Sequence, residues 1–172
     1  MSAASPLAQI AVGVVVERRR AASRWIDFTW KPVSVLAGTP DAAPWTLMSA
    51  SDAIATFYAG AATVALHRTE TANYRDNLDA AAPALWVVLR PTGSEPPYAL
   101  VAVTADPAEG EAFTQTGDDL VEAVPMPRIV RDIVAAFVAA HHVERPFHKR
   151  ARNRFDAQAP VRRPPIRKGR HE

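Results

Sequence analysis

Apolar positions recur with a period of two in several short runs of the chain and at helical spacing in one late run. Ile10, Val12, Val14 and Val16 share one face of a strand expected over residues 9–18, and Ala11, Gly13 and Val15 share the other. Both faces are apolar, so this strand should be covered on two sides. A second strand is expected over 28–36. Its Pro32 cannot donate to a ladder and must sit at an edge or a bulge. Residues 38–44 (GTPDAAP) read as a loop, and Trp45 as a plug at the sheet end. TFYAGAATVALH, residues 56–67, is partly β-branched and aromatic and reads as the next strand.

Thr69 is placed to cap a helix over 70–80, with Glu70 at the positive end of its dipole. LWVVL (85–89) and YALVAVT (98–104) flank the turn PTGSEPP (91–97), the clearest hairpin signal in the chain. Asp106 can cap a helix whose first residue is Pro107 and which Gly117 stops. A short strand follows at 120–124. The last helix opens at Pro127, where Ile129, Ile133, Phe137 and Ala140 run beside Val130, Val134 and Val138. That stripe is wide enough to face a core. About six strands and three helices without a regular βαβ alternation predict an α+β fold with a mainly antiparallel sheet. The expected organisation is a flexible leader (1–7), one globular domain (8–147) and a disordered basic tail (148–172). In that tail Arg, Lys and Pro replace the hydrophobic periodicity.

A length of 172 residues, 48% hydrophobic and 22% charged, suits one soluble domain and excludes wholesale disorder or a membrane-embedded body. The absence of cysteine excludes disulfides, thiolate-bound clusters and a cysteine nucleophile. Residues 144–172 hold ten cations and three anions, whereas 1–143 hold ten cations and fifteen anions. The basic pI of about 9.3 therefore belongs to the tail, over a mildly acidic body. The apolar run 8–16 has no basic segment before it and four charged residues after it, the reverse of a secretory signal, and a cytoplasmic location is expected. The seven glycines stand apart, so neither common phosphate-binding loop nor a nucleophile elbow can be drawn through them. No catalytic residue, cofactor or metal site is expected.

Two clusters remain. ERRRAASRWIDFTW (17–30) sets Arg18, Arg19, Trp25, Asp27 and Trp30 close together, the residue types that dominate protein–protein hot spots. The competing reading buries Trp25 and Trp30 in the core and leaves the arginines solvated. HRTETANYRDN (67–77) offers His67, Arg68, Glu70, Arg75 and Asp76 as a ligand site, with the arginines as anion clamps for a nucleotide or pterin phosphate. Its competing reading is a solvated strand-to-helix turn. His141, His142 and His148 do not make a metal site, because adjacent helical side chains diverge by about 100°. The acidic residues Glu95, Asp106, Glu109, Glu111, Asp118, Asp119 and Glu122 read as a solvated face. The tail could hold nucleic acid through phosphates without reading sequence.

The strings VGVVVERR (12–19), WIDFTWKPVSVL (25–36), TFYAG (56–60), LHRTETANYRDNL (66–78), PALWVVLRP (83–91) and VTADPAEGEAF (103–113) resemble an uncharacterised bacterial family, domain of unknown function 3305, over residues 8–150. The resemblance implies a setting near formate dehydrogenase and molybdenum-cofactor genes. Some relatives are labelled as molybdopterin-guanine dinucleotide biosynthesis protein A. Those guanylyltransferases resemble Rossmann-type proteins with a glycine-rich loop after the first strand, where this chain has Glu17–Arg20. The function expected is thus that of a non-catalytic accessory protein, docking on a formate dehydrogenase subunit or maturation factor.

Overall fold

The computed structural model describes residues 5–115 and 117–144. The first four leader residues, His148 and the whole of the expected tail, with its nucleic-acid reading, lie outside them. Seven strands and three α-helices follow in the order β1 (Ala8–Arg20), β2 (Phe28–Ala37), β3 (Thr46–Ala50), β4 (Ile54–Leu66), α1 (Thr71–Asp79), β5 (Ala84–Pro91), β6 (Tyr98–Thr104), α2 (Pro107–Thr114), β7 (Leu120–Pro125) and α3 (Arg128–His141). All strand pairings are antiparallel and the fold is α+β. The strands form two sheets, ordered β2-β1-β4-β3 and β6-β5-β7.

The sheets stack face to face. Ile10, Val12, Val14 and Val16 of β1 share one hydrophobic cluster with Leu85, Val87 and Leu89 of β5, because alternate residues of each strand point into the same gap. Burying one such side chain stabilises by roughly 1.5–3 kcal/mol. β1 is also covered from outside: a Cβ added at Gly13 would lie 2.8 Å from the Tyr58 ring and 3.1 Å from Pro40 of the 38–44 loop. Pro32 sits on edge strand β2 at a register shift, where Val15 faces Ser34 and Val16 faces Pro32. Lys31 Nζ reaches Glu122 Oε1 at 3.0 Å and ties β2 to β7.

Asn77 fastens α1 to the second sheet. Its Nδ2 donates to the carbonyls of Ala84 (2.9 Å) and Ala105 (2.8 Å), and its Oδ1 accepts from the Ala84 amide (3.0 Å). Asp106 caps α2 through the Ala108 amide (2.8 Å), and both its oxygens also accept from Asn73 Nδ2 (3.0 and 3.1 Å). α2 then lies flush on β5, because Gly110 has no side chain and a Cβ there would overlap the Trp86 ring.

Four expectations are corrected. The expected count of about six strands becomes seven among the described residues, because TLMSA (46–50) forms β3, whose five residues are all exposed and show no alternating burial. Thr69 does not cap α1. It lies inside a 3₁₀ turn, Arg68–Glu70, and the helix begins at Thr71 with no side-chain cap. The α3 stripe is half as wide as expected: Val130, Val134, Phe137 and Val138 are buried, but Ile129 and Ile133 are 63% and 41% exposed. Finally, the acidic stretch is not simply solvated, since Asp106, Glu109, Asp119 and Glu122 bond to Asn73, Thr104, Arg90 and Lys31.

Candidate functional site

The ladder of β1 separates two surfaces. At one end Ala8 pairs with Leu66, and at the other Arg19 pairs with both Thr29 and Ile54. The residues after Leu66 and those between β1 and β2 therefore sit at opposite ends of the first sheet.

At the Leu66 end an open cleft of about 880 Å³ runs between the start of α1 and the end of α3, lined by Arg68, Thr71, Arg75, His141, His142 and Glu144 among others. Tyr74 lies beneath it, 1% exposed, and its hydroxyl accepts the His67 amide at 3.1 Å, which fixes the turn where Arg68 leaves β4. Burial pushes the Tyr74 phenol above its ordinary value; the His67 amide opposes that rise, and the charges of Asp106, Glu70 and Glu109 add to it. The Phe137 ring lies 6.2 Å from that of Tyr74 and 4.7 Å from that of His141, so an aromatic column orders the last turn of α3.

His142 joins the two helices. Arg75 Nη1 lies 2.9 Å from His142 Nε2 and His142 Nδ1 lies 3.1 Å from Thr71 Oγ1. A guanidinium only donates, so the tautomer assigned from these partners has Nε2 accepting and Nδ1–H donating to the threonine. The Thr71 hydroxyl then donates to the Arg68 carbonyl at 3.3 Å. Arg75 is flanked at 3.7 Å by Asp76 and by Glu144, which is 86% exposed. The Arg68 guanidinium is exposed and has no hydrogen-bond or ion-pair partner among the described residues.

Of the five ligand candidates read from the sequence, the cleft brings together Arg68 and Arg75. His67 and Glu70 do not line it: His67 is held through its backbone, and Glu70 accepts from Asn73 Nδ2 at 3.3 Å. Asp76 stays outside as a flanking charge on Arg75. Thr71, His141 and His142 were not among the candidates. Their sequence signal is faint, because His142 reaches Thr71 across 71 positions.

At the opposite end, residues 21–27 link β1 to β2, closed by the Ala21 amide on the Asp27 carbonyl (2.9 Å) and by Ser23 Oγ accepting from the Trp25 amide (3.1 Å). The five docking candidates divide here. Trp30 packs inward, its ring 6.0 Å from Trp45, 5.7 Å from Phe57 and 6.3 Å from Tyr98, closing the gap between the sheets. Arg18 lies over Phe28, Phe57 and Trp30 at 4.5–5.8 Å, and Arg19 pairs with Glu17 at 2.9 Å. Trp25 and Asp27 are on the tip, where Trp25 is 90% exposed beside exposed Ile26, Arg20 and Arg24.

Among the described residues, no three His, Asp or Glu side chains are grouped to hold a metal ion, and no helix is long and apolar enough to cross a membrane. No curated protein and no solved structure matches the chain. A family profile does match, over residues 11–151, and the chain belongs to that family: protein of unknown function (DUF3305).

Proposed function

We propose that this protein is a non-catalytic accessory factor that docks, through the tip of the β1–β2 hairpin, onto a molybdenum-containing formate dehydrogenase or one of its maturation factors. The observation that carries the reading is Trp25, 90% exposed at the end of a hairpin whose own hydrogen bonds hold it in shape. Solvating a whole indole is unfavourable, and tryptophan is among the residue types most enriched at interface hot spots. Ile26 (52% exposed) and Phe28 (39%) extend the apolar tip, and Arg20 and Arg24 frame it with positive charge. Those features fit an acidic partner surface with an apolar recess. The partner class follows from the family resemblance, which implies a setting beside formate dehydrogenase and molybdenum-cofactor genes.

Binding of the purified full-length protein to purified formate dehydrogenase from the same organism tests the proposal. Trp25→Ala should weaken binding by roughly thirtyfold, the effect of an anchor contributing about 2 kcal/mol. Its melting temperature should hold, because the side chain touches no core residue. Equal affinity for the two proteins, or no association at micromolar concentration, refutes the assignment.

A further inference from the structure

We infer that the cleft between α1 and α3 binds the phosphate group of a small organic phosphate. The inference is independent of the docking proposal and rests on a different set of side chains. Arg68 is an exposed cation without a partner among the described residues, and it shares the cleft with Arg75. Arg75 is pre-positioned: His142 Nε2 takes one of its hydrogens at 2.9 Å, and His142 is itself held by Thr71. A guanidinium fixed in this way keeps its remaining N–H groups aimed and loses little entropy when an oxyanion arrives.

The chain supplies a stand-in for that oxyanion. Glu144, 86% exposed, sets a carboxylate 3.7 Å from Arg75 Nη1, too far for a hydrogen bond and easily displaced. A phosphate monoester carries about −1.5 to −2 charges and three acceptor oxygens, enough acceptors for both cleft arginines, where the Glu144 carboxylate faces Arg75 alone. The first turn of α1, with Thr71 and Ala72 on the cleft wall, adds the positive end of a helix dipole. The volume of about 880 Å³ far exceeds that of a bare ion, and Ala72 and Val143 give an organic moiety apolar wall to rest on. The favoured ligand is therefore a free phosphate ester of nucleotide size; a phospholipid headgroup presents the same chemistry from a membrane surface.

The test uses the full-length chain with inorganic pyrophosphate and a nucleoside diphosphate as probes, followed by thermal shift and calorimetry. Both probes should raise the melting temperature. Arg68→Ala should weaken the response at least fivefold without altering the melting temperature of the unliganded protein, since Arg68 is exposed and has no hydrogen-bond or ion-pair partner among the described residues. Glu144→Gln should tighten it twofold or more, because it removes the carboxylate that lies 3.7 Å from Arg75 and opposes an arriving anion. No response to either probe at millimolar concentration overturns the inference. So does a response that Arg68→Ala and Glu144→Gln both leave unchanged, because it would belong to the basic residues beyond 144. Sedimentation with phosphatidylglycerol vesicles, dependent on Arg68 and with no response to the soluble probes, overturns the free ester in favour of a lipid headgroup.

Discussion

Asn77 is 4% exposed and makes three backbone hydrogen bonds, the one to Ala105 buried and the two to Ala84 part-buried. Asn77→Ala should leave the Ala84 amide and two carbonyls unpaired, and each buried orphan costs about 1–3 kcal/mol. Urea unfolding should show a loss of at least that size. Arg90 and Asp119 form a different kind of pair, at 2.7 and 2.9 Å, between the ends of β5 and the segment entering β7. The Arg90 guanidinium hydrogen bond holds the Asp119 carboxyl below its ordinary value. A carboxylate lowered on folding stabilises above the unfolded aspartate range, about pH 4, and that contribution fades as pH falls through the lower folded value. Wild type should therefore outlast Asp119→Asn in denaturant at pH 7, and the gap should narrow at pH 3. The sequence showed Asp119 only as one of a run of acids; its partner lies 29 positions earlier, and no local rule reaches that far.

Among the elements, those legible in the sequence were the ones whose signals are local. The β5–β6 hairpin needed only two β-rich runs and a proline-rich turn, and α2 needed only Asp106 and Pro107. β3 was illegible, because an exposed edge strand has no buried face to impose alternation. The breadth of the α3 stripe was misjudged for a related reason: composition shows which residues are apolar, whereas the neighbouring elements decide which face is covered. The Ile129–Ile133 ridge lies one helical step outside the buried Val130–Val134 ridge. The fit of α2 on β5 depends on one missing side chain, so Gly110→Ala should force the helix off the Trp86 ring. Although alanine is the better helix former, this substitution should lower the melting temperature by several degrees.

For the molecule as a whole, the sequence delivered the two clusters but not their relation. The sequence left Trp25 and Trp30 open between docking surface and core; strand alternation turns Trp30, with Arg18, toward the gap between the sheets, while Trp25 stays on the exposed hairpin tip. The cleft escaped because it is assembled by α3 returning to the start of α1, a contact set by the packing of the whole chain. β1, with its 13 residues, sets the distance between the two surfaces at roughly 40 Å, given about 3.3 Å per residue. A standard protein interface covers ~800 Å² on each partner, a disc of only about 30 Å across. A protein seated on Trp25 would thus leave the arginines of the far end open to solvent. On the two proposals together, a partner body on Trp25 and a phosphate ester beside Arg68 would not collide, and binding of one should leave the affinity for the other unchanged.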